Sequence, residues 1–254
     1  MYSASDSHIL DFDTVSFSYD QEKSFLQDMS AAIKNGEFIG LLGANGSGKS
    51  TILKLASGIL RPLRGRIHLW GKALDTYKNR DRAKLVSYLP QFLDLNIPFT
   101  VREFVSMGRY PYDTLPELSV EEAIGMVGLS EYEDTLISNL SGGERRRVYI
   151  AMTLLQGAGL VLLDEPLANL DIKYQIELLK LLQDLRERRN ITAIMALHDI
   201  NIAFQFDRLI LVKEGRILGS GTPQEVLTQE LLKEAFDVTI EMKREERGGV
   251  FIRY

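Results

Sequence analysis

Four short stretches of this chain are apolar almost without interruption: Phe38-Ile39-Gly40-Leu41-Leu42, Leu85-Val86-Ser87-Tyr88-Leu89, Gly159-Leu160-Val161-Leu162-Leu163 and Ile191 to Leu197. Their length and continuity predict strands buried on both faces, as in a parallel sheet. Ile9 to Phe17 and Phe25 to Ile33 alternate only in part and predict antiparallel strands joined around Tyr19-Asp20-Gln21-Glu22. Arg66 to Trp70 reads as another strand, and Leu209 to Val212 with Arg216 to Leu218 as a hairpin around Glu214-Gly215. Val238 to Met242 and Val250 to Ile252 can pair across Gly248-Gly249.

Helical patterns fall between these runs. Ile52 to Ala56 opens one helix, and Arg80 to Lys84 makes a short one. Thr100 with Glu103 forms a capping-box pattern for a helix ending near Gly108. Ser119 to Val127 has helical spacing. Ile172, Ile176, Leu179 and Leu182 recur at the spacing of one helix face and predict a long amphipathic helix capped by Asp171. Thr222-Pro223 and Glu230 to Phe236 begin and form the last helices. The pattern describes an α/β core made of residues 1–91 and 158–254, with a mostly helical subdomain over 92–157.

The central apolar run delivers Gly43-Ala44-Asn45-Gly46-Ser47-Gly48-Lys49-Ser50-Thr51. Strand, glycine-rich turn and helix is the context in which G-x-x-x-x-G-K-[ST] cradles phosphate. Small residues let backbone N–H groups curl around an anion, and the helix beginning near Gly48 offers unpaired donors. Lys49 supplies a mobile positive charge for the β and γ phosphates, and the Ser50 hydroxyl can reach Mg²⁺.

Other candidates stand at strand ends. Tyr19 can stack on a base or be a sheet-edge aromatic. Gln91, after Pro90, can coordinate Mg²⁺, position water, or simply face solvent. Asp164-Glu165-Pro166 closes an all-apolar strand, which puts two carboxylates where α/β proteins keep their ligands. Asp164 can hold Mg²⁺, and Glu165 can orient or deprotonate a water. His198 ends the next strand, where it can sense a γ-phosphate or serve as a capping residue. Ser141-Gly142-Gly143-Glu144 starts a helix and forms either a second anion site or an ordinary cap. Arg145, Arg146 and Arg147 spread over different helix faces and are expected to pair with acidic neighbours. Asp171 can cap its helix or face a partner subunit. The apolar loop Phe92, Leu93, Leu95, Ile97, Pro98 and Phe99 needs a cover, either internal or a partner's helix.

Composition narrows the picture. The chain has 254 residues, a formal net charge of −5, three histidines and no cysteine. That balance argues against general nucleic-acid binding, and the lack of thiols excludes disulfides and thiolate metal ligands. No stretch is long and apolar enough to span a bilayer, and Met1 to Asp6 lacks the basic-then-apolar pattern of a secretion signal. The expectation is a cytoplasmic protein whose membrane-spanning part, if any, belongs to another subunit.

With these motifs in this order, the chain resembles the ATP-binding subunit of ABC transporters over nearly its whole length. Tyr19 falls where that family stacks adenine, Gly43 to Thr51 on its Walker A loop, and Gln91 in its Q-loop. Leu140 to Glu144 matches its signature, with Glu144 where glutamine is usual. Leu160 to Glu165 matches Walker B, Ala168 to Asp171 the D-loop and His198 the switch histidine. The resemblance implies a P-loop NTPase cassette: a mixed core sheet, an antiparallel β part and an inserted helical subdomain. It implies ATP and Mg²⁺, with Lys49, Gln91, Glu165 and His198 catalytic. Ser50, Gln91 and Asp164 would meet the metal. Ser141, Gly142, Gly143, Glu144 and Asp171 would meet a nucleotide shared with a second copy of the chain.

Thr100 to Glu103, Met107 to Pro111, Leu74 and Ser138 to Arg147 are similar to importer ATPases serving ferric siderophores, haem or vitamin B12. The stretch from Pro111 to Ser141 is shorter than in many siderophore-type members, so the cargo stays open. The resemblance implies permease subunits, a substrate-binding protein, no nucleic acid, and a peripheral position on the cytoplasmic face of the inner membrane. An exporter ATPase and a soluble ABC protein of repair, translation or cofactor assembly are the alternatives.

Overall fold

The computed structural model describes residues 8–20, 25–93, 98–113, 118–237, 241–244 and 250–253. Gln21, Glu22, Leu95, Ile97, Leu115, Pro116, Val238 and the Gly248-Gly249 turn lie outside them. In chain order the elements are β1 (His8–Phe17), β2 (Leu26–Lys34), β3 (Phe38–Leu42), α1 (Lys49–Ala56), β4 (Arg64–Leu69), β5 (Lys72–Ala73), α2 (Asn79–Ala83), β6 (Val86–Leu89), α3 (Val101–Ser106), α4 (Val120–Met126), α5 (Gly142–Leu155), β7 (Leu160–Asp164), α6 (Ile172–Arg189), β8 (Thr192–Ala196), β9 (Arg208–Lys213), β10 (Arg216–Gly221), α7 (Pro223–Val226), α8 (Gln229–Phe236), β11 (Glu241–Arg244) and β12 (Val250–Arg253). Among the described residues, no helix is long and apolar enough to cross a membrane.

The chain divides into two compact units, residues 1–76 with 194–254 and residues 77–193. The first holds an antiparallel sheet of order β2-β1-β4-β5. Its β1–β2 ladder shifts register at bulges, which is why the alternation there is only partial. The same unit carries the strand order β10-β9-β3-β8, with β3 parallel to β9 and β9 antiparallel to β10. Every residue of β3 is buried, as its unbroken apolar pattern requires. Leu41 and Leu42 are 1% and 0% exposed, and each such burial contributes about 2 kcal/mol. The unit boundary falls inside β8.

The second unit carries β6 and β7, parallel in the register Val86↔Leu160 to Leu89↔Leu163. All of β7 is buried, including Asp164 at its end. α3, α4 and α5 each begin with a full capping box, at Thr100/Glu103, Ser119/Glu122 and Ser141/Glu144. Each box satisfies two N–H groups left open by the first turn, and such a cap contributes about 1 kcal/mol.

The expected face of α6 is only half right. Leu178, Leu179 and Leu182 are buried, but Ile172 and Ile176 are 74% and 48% exposed. The apolar stripe enters the core only from the second turn onward. Asp171 occupies the N-cap position of α6, but its side chain makes no cap hydrogen bond.

Candidate functional site

In the first unit, β3 hands the chain directly to the glycine-rich loop. Gly43 has φ 155°, and a Cβ there would meet the Val212 carbonyl oxygen at 2.2 Å and Ser47 Oγ at 2.7 Å. Only glycine fits where the loop leaves the sheet so close to β9. Gly48 then takes φ 117° as the N-cap of α1.

The Lys49 ammonium is buried and donates to the carbonyls of Gly43 at 2.7 Å and Ala44 at 3.1 Å. The expected mobile charge is thus folded across its own loop, because those carbonyls are within reach of it. Ser50 is half-buried, while Asn45 and Gly46 are exposed. The Ser47 hydroxyl is buried with no hydrogen-bond partner among the described residues. An orphaned buried hydroxyl costs about 1–3 kcal/mol, and a phosphate oxygen would satisfy it. Loop, lysine and hydroxyl therefore fit a nucleotide phosphate.

Tyr19 lies in the same unit. Its ring is 61% exposed and braced edge-on by Phe17 and Phe25, with centroids 4.9 and 5.4 Å away. Its hydroxyl hydrogen-bonds the buried Thr51 hydroxyl at 2.8 Å. The tyrosine is therefore tied to the first turn of α1 with a ring surface left open. His198 is exposed immediately after β8.

The β9–β10 turn is a feature that the sequence pattern identified only as a hairpin. Glu214 and Gly215 take φ 46° and 74°, the left-handed pair of a tight two-residue turn. The Gly215 N–H donates to the Ser47 carbonyl at 2.8 Å, so the hairpin tip supports the phosphate loop from behind.

In the second unit, β7 ends at Asp164 and Glu165, which are 1% and 7% exposed. Tyr88, from the neighbouring strand β6, donates its hydroxyl to Asp164 Oδ2 at 3.2 Å. Gln91 Nε2 donates to Glu165 Oε2 at 2.6 Å, so these two candidates touch. Glu165 has φ 52°, a left-handed conformation unusual outside glycine. Two carboxylates, one of them with the Gln91 carboxamide against it, are ligand types that suit a hard cation and a water.

Ser141 caps α5. Its hydroxyl accepts from the Glu144 N–H at 3.3 Å, and Glu144 Oε2 accepts from the Ser141 N–H at 2.8 Å. The Ser141 hydroxyl and N–H hold the Glu144 carboxyl below its ordinary range. Glutamate in place of glutamine thus completes a cap here. A Cβ on Gly143 would stand 3.3 Å from the Asn169 carbonyl oxygen, so the signature turn runs close against the 168–171 loop.

Among the described residues, the three arginines do not form the expected ion pairs but bond backbone carbonyls instead. Arg145 Nε donates to the Leu140 carbonyl at 2.8 Å. Arg147 Nη1 donates to the carbonyls of Val127 and Gly128 at 2.8 and 3.0 Å, and its guanidinium lies 3.8 Å over the Tyr174 ring. Arg146 is 4% exposed and donates to five backbone carbonyls: Pro90 at 2.9 Å, Gln91 at 3.0 Å, Asp164 at 2.7 Å, Glu165 at 2.6 Å and Pro166 at 3.3 Å. Buried carbonyls at strand and helix ends lack ladder partners, and a guanidinium fork supplies several donors at once.

Comparison with known proteins agrees with this arrangement. The family model described as ABC transporter matches residues 26–168. The petrobactin import ATP-binding protein FpuC of Bacillus anthracis is 41% identical over 229 residues, covering 87% of this chain and 84% of that protein. An inward-facing structure of a putative metal-chelate type ABC transporter has a TM-score of 0.79 at 26% identity, over 97% of this chain and 96% of that one. A dimeric bacterial ABC transporter cassette has a TM-score of 0.76 at 26% identity, over 84% of this chain and 98% of that one. The chain belongs to the ATP-binding subunits of ABC transporters.

Proposed function

We propose that this chain is the ATP-hydrolysing motor of an importer for a metal chelate, of the ferric siderophore, haem or cobalamin class. The observation that carries the nucleotide chemistry is the phosphate loop, with Lys49 held across it and a buried Ser47 hydroxyl awaiting an acceptor. The cargo class rests on the resemblance of the Thr100–Glu103 and Met107–Pro111 segments, and on relatives such as the petrobactin import protein.

In this reading Lys49 and the loop N–H groups bind the β and γ phosphates. Tyr19 offers its open ring to the base. Ser50, Gln91 and Asp164 are the residues that would hold Mg²⁺, which would supply positive charge to the phosphates. Glu165 directs a water at the γ-phosphate, with Gln91 fixing its carboxylate, and His198 senses the terminal phosphate. Positioning and electrostatics supply most of the rate. Ser141, Gly142, Gly143, Glu144 and Asp171 complete the site of a second copy, a pairing supported by the dimeric cassette of similar fold. Residues 92–157 act as the helical subdomain. Permease subunits and a substrate-binding protein complete the importer, which places the motor on the cytoplasmic face of the membrane. Phe92, 86% exposed beside Gln91, is the apolar side chain assigned to the permease contact.

Steady-state turnover of ATP tests the assignment. Lys49→Ala should abolish it through lost binding, and Glu165→Gln should bind ATP yet turn over at least 100-fold more slowly, a loss of about 2.7 kcal/mol in transition-state stabilisation. Native rates in either variant would refute the role of the residue replaced.

A further inference from the structure

A guanidinium buried against five carbonyls from two segments is an expensive feature to keep unless their relative placement matters. The two segments are those of Gln91 and Glu165. We propose that Arg146 is the positioning residue that aims Glu165 and registers it with Gln91, an inference that rests on Glu165 being the water-directing carboxylate.

Two observations support it. First, Glu165 sits at φ 52°, and a side chain in the left-handed region persists only where the surroundings over-determine it. Its carbonyl is fixed by Arg146 Nη2 at 2.6 Å and by the Ala168 N–H at 3.2 Å. The carbonyls before and after it, of Asp164 and Pro166, bond the same guanidinium. The peptide planes on both sides of Glu165 are thus set by one rigid group, and they decide where its Cα–Cβ bond points.

Second, Nη1 of the same side chain holds the carbonyls of Pro90 and Gln91. The guanidinium is planar and its donors have a fixed spacing. It therefore locks the backbone of Gln91 to that of Glu165, and the 2.6 Å contact between their side chains follows from that register.

All five partners belong to the Gln91 and Glu165 segments and none to the phosphate loop, so the defect on replacement should be in turnover and not in nucleotide affinity measured without Mg²⁺. Arg146→Gln stays polar but cannot span the carbonyls. Its kcat should fall about 10–100-fold, as a small misplacement of a reacting group does, while the Kd for ATP measured without Mg²⁺ stays within about twofold. Arg146→Lys keeps the charge without the fork and should recover part of the loss. The same comparison is made with Arg146→Lys alone if Arg146→Gln does not fold by circular dichroism.

The double variant Arg146→Gln/Glu165→Gln should hydrolyse ATP no more slowly than Glu165→Gln, because the positioning residue has lost its target. Native kcat in Arg146→Gln, a raised KM at unchanged kcat, or a further tenfold loss on the Glu165→Gln background overturns the inference. Native turnover in Glu165→Gln alone is a different failure: it removes the role of Glu165 before Arg146 is tested.

Discussion

Replacing Gly215 by alanine tests whether the β9–β10 hairpin supports the phosphate loop. Gly215 has φ 74°, and an added Cβ would stand 1.8 Å from the Phe25 carbonyl oxygen, a backbone atom that cannot swing aside. The left-handed conformation costs alanine about 1–2 kcal/mol. Moving the turn breaks the 2.8 Å bond from the Gly215 N–H to the Ser47 carbonyl, worth about 1 kcal/mol. Relieving the overlap costs on the order of 1 kcal/mol more, and the stiffer unfolded chain returns about 0.7 kcal/mol. The net loss is about 3 kcal/mol, a fall in Tm of about 6–12 °C for a chain this long.

Because Ser47 moves with the turn, ATP affinity should weaken about tenfold, the equivalent of one lost hydrogen bond. Gly71→Ala is the control. Gly71 has a similar φ of 72° but nothing within 4 Å of an added Cβ, so it should lose only about 1 kcal/mol and leave ATP binding unchanged. Calorimetric melting and titration with ATP read both quantities. If Gly215→Ala melts and binds like Gly71→Ala, the supporting role of the hairpin is wrong.

Two further outcomes are expected. Glu103, Glu122, Glu144 and Glu225 each have a carboxyl held below its ordinary value of 4.5 by capping-box partners. Their ionised forms favour the fold, so this stability is present above pH 4.5 and is lost as pH falls through the lowered values. Glutamine at all four positions should flatten the loss of urea-unfolding stability between about pH 5 and about pH 3, and an unchanged slope would count against it. Phe92→Asp should leave ATP binding by the isolated chain intact and reduce the permease recovered with it from membranes, whereas unchanged recovery would refute the contact.

The sequence pattern reveals what local chemistry decides. The unbroken runs Phe38–Leu42 and Leu160–Asp164 are strands because both faces are covered, and hydrophobicity alone reports that. The boxes at Thr100 and Ser141 are visible because cap and partner lie three residues apart. What escapes is set by approach in space. Arg146 reads as a charge seeking an acid, yet its partners are carbonyls as far as 56 residues away in sequence, which carry no side-chain signature. Gly215 reads as a turn, and its bond to Ser47 depends on how β9 aligns with β3. Ile172 and Ile176 share helical spacing with Leu179, but periodicity cannot say where along α6 the cover begins.

In the proposed cycle a bound γ-phosphate joins two copies of this chain and its cleavage releases them. Light-scattering mass measurement on Glu165→Gln, with Mg²⁺ and ATP and again with ADP, separates the two states. The expected result is a mass of twice 28.7 kDa with ATP and a single chain with ADP. A protein that stays a single chain in both, with saturating ATP shown to be bound, would contradict it.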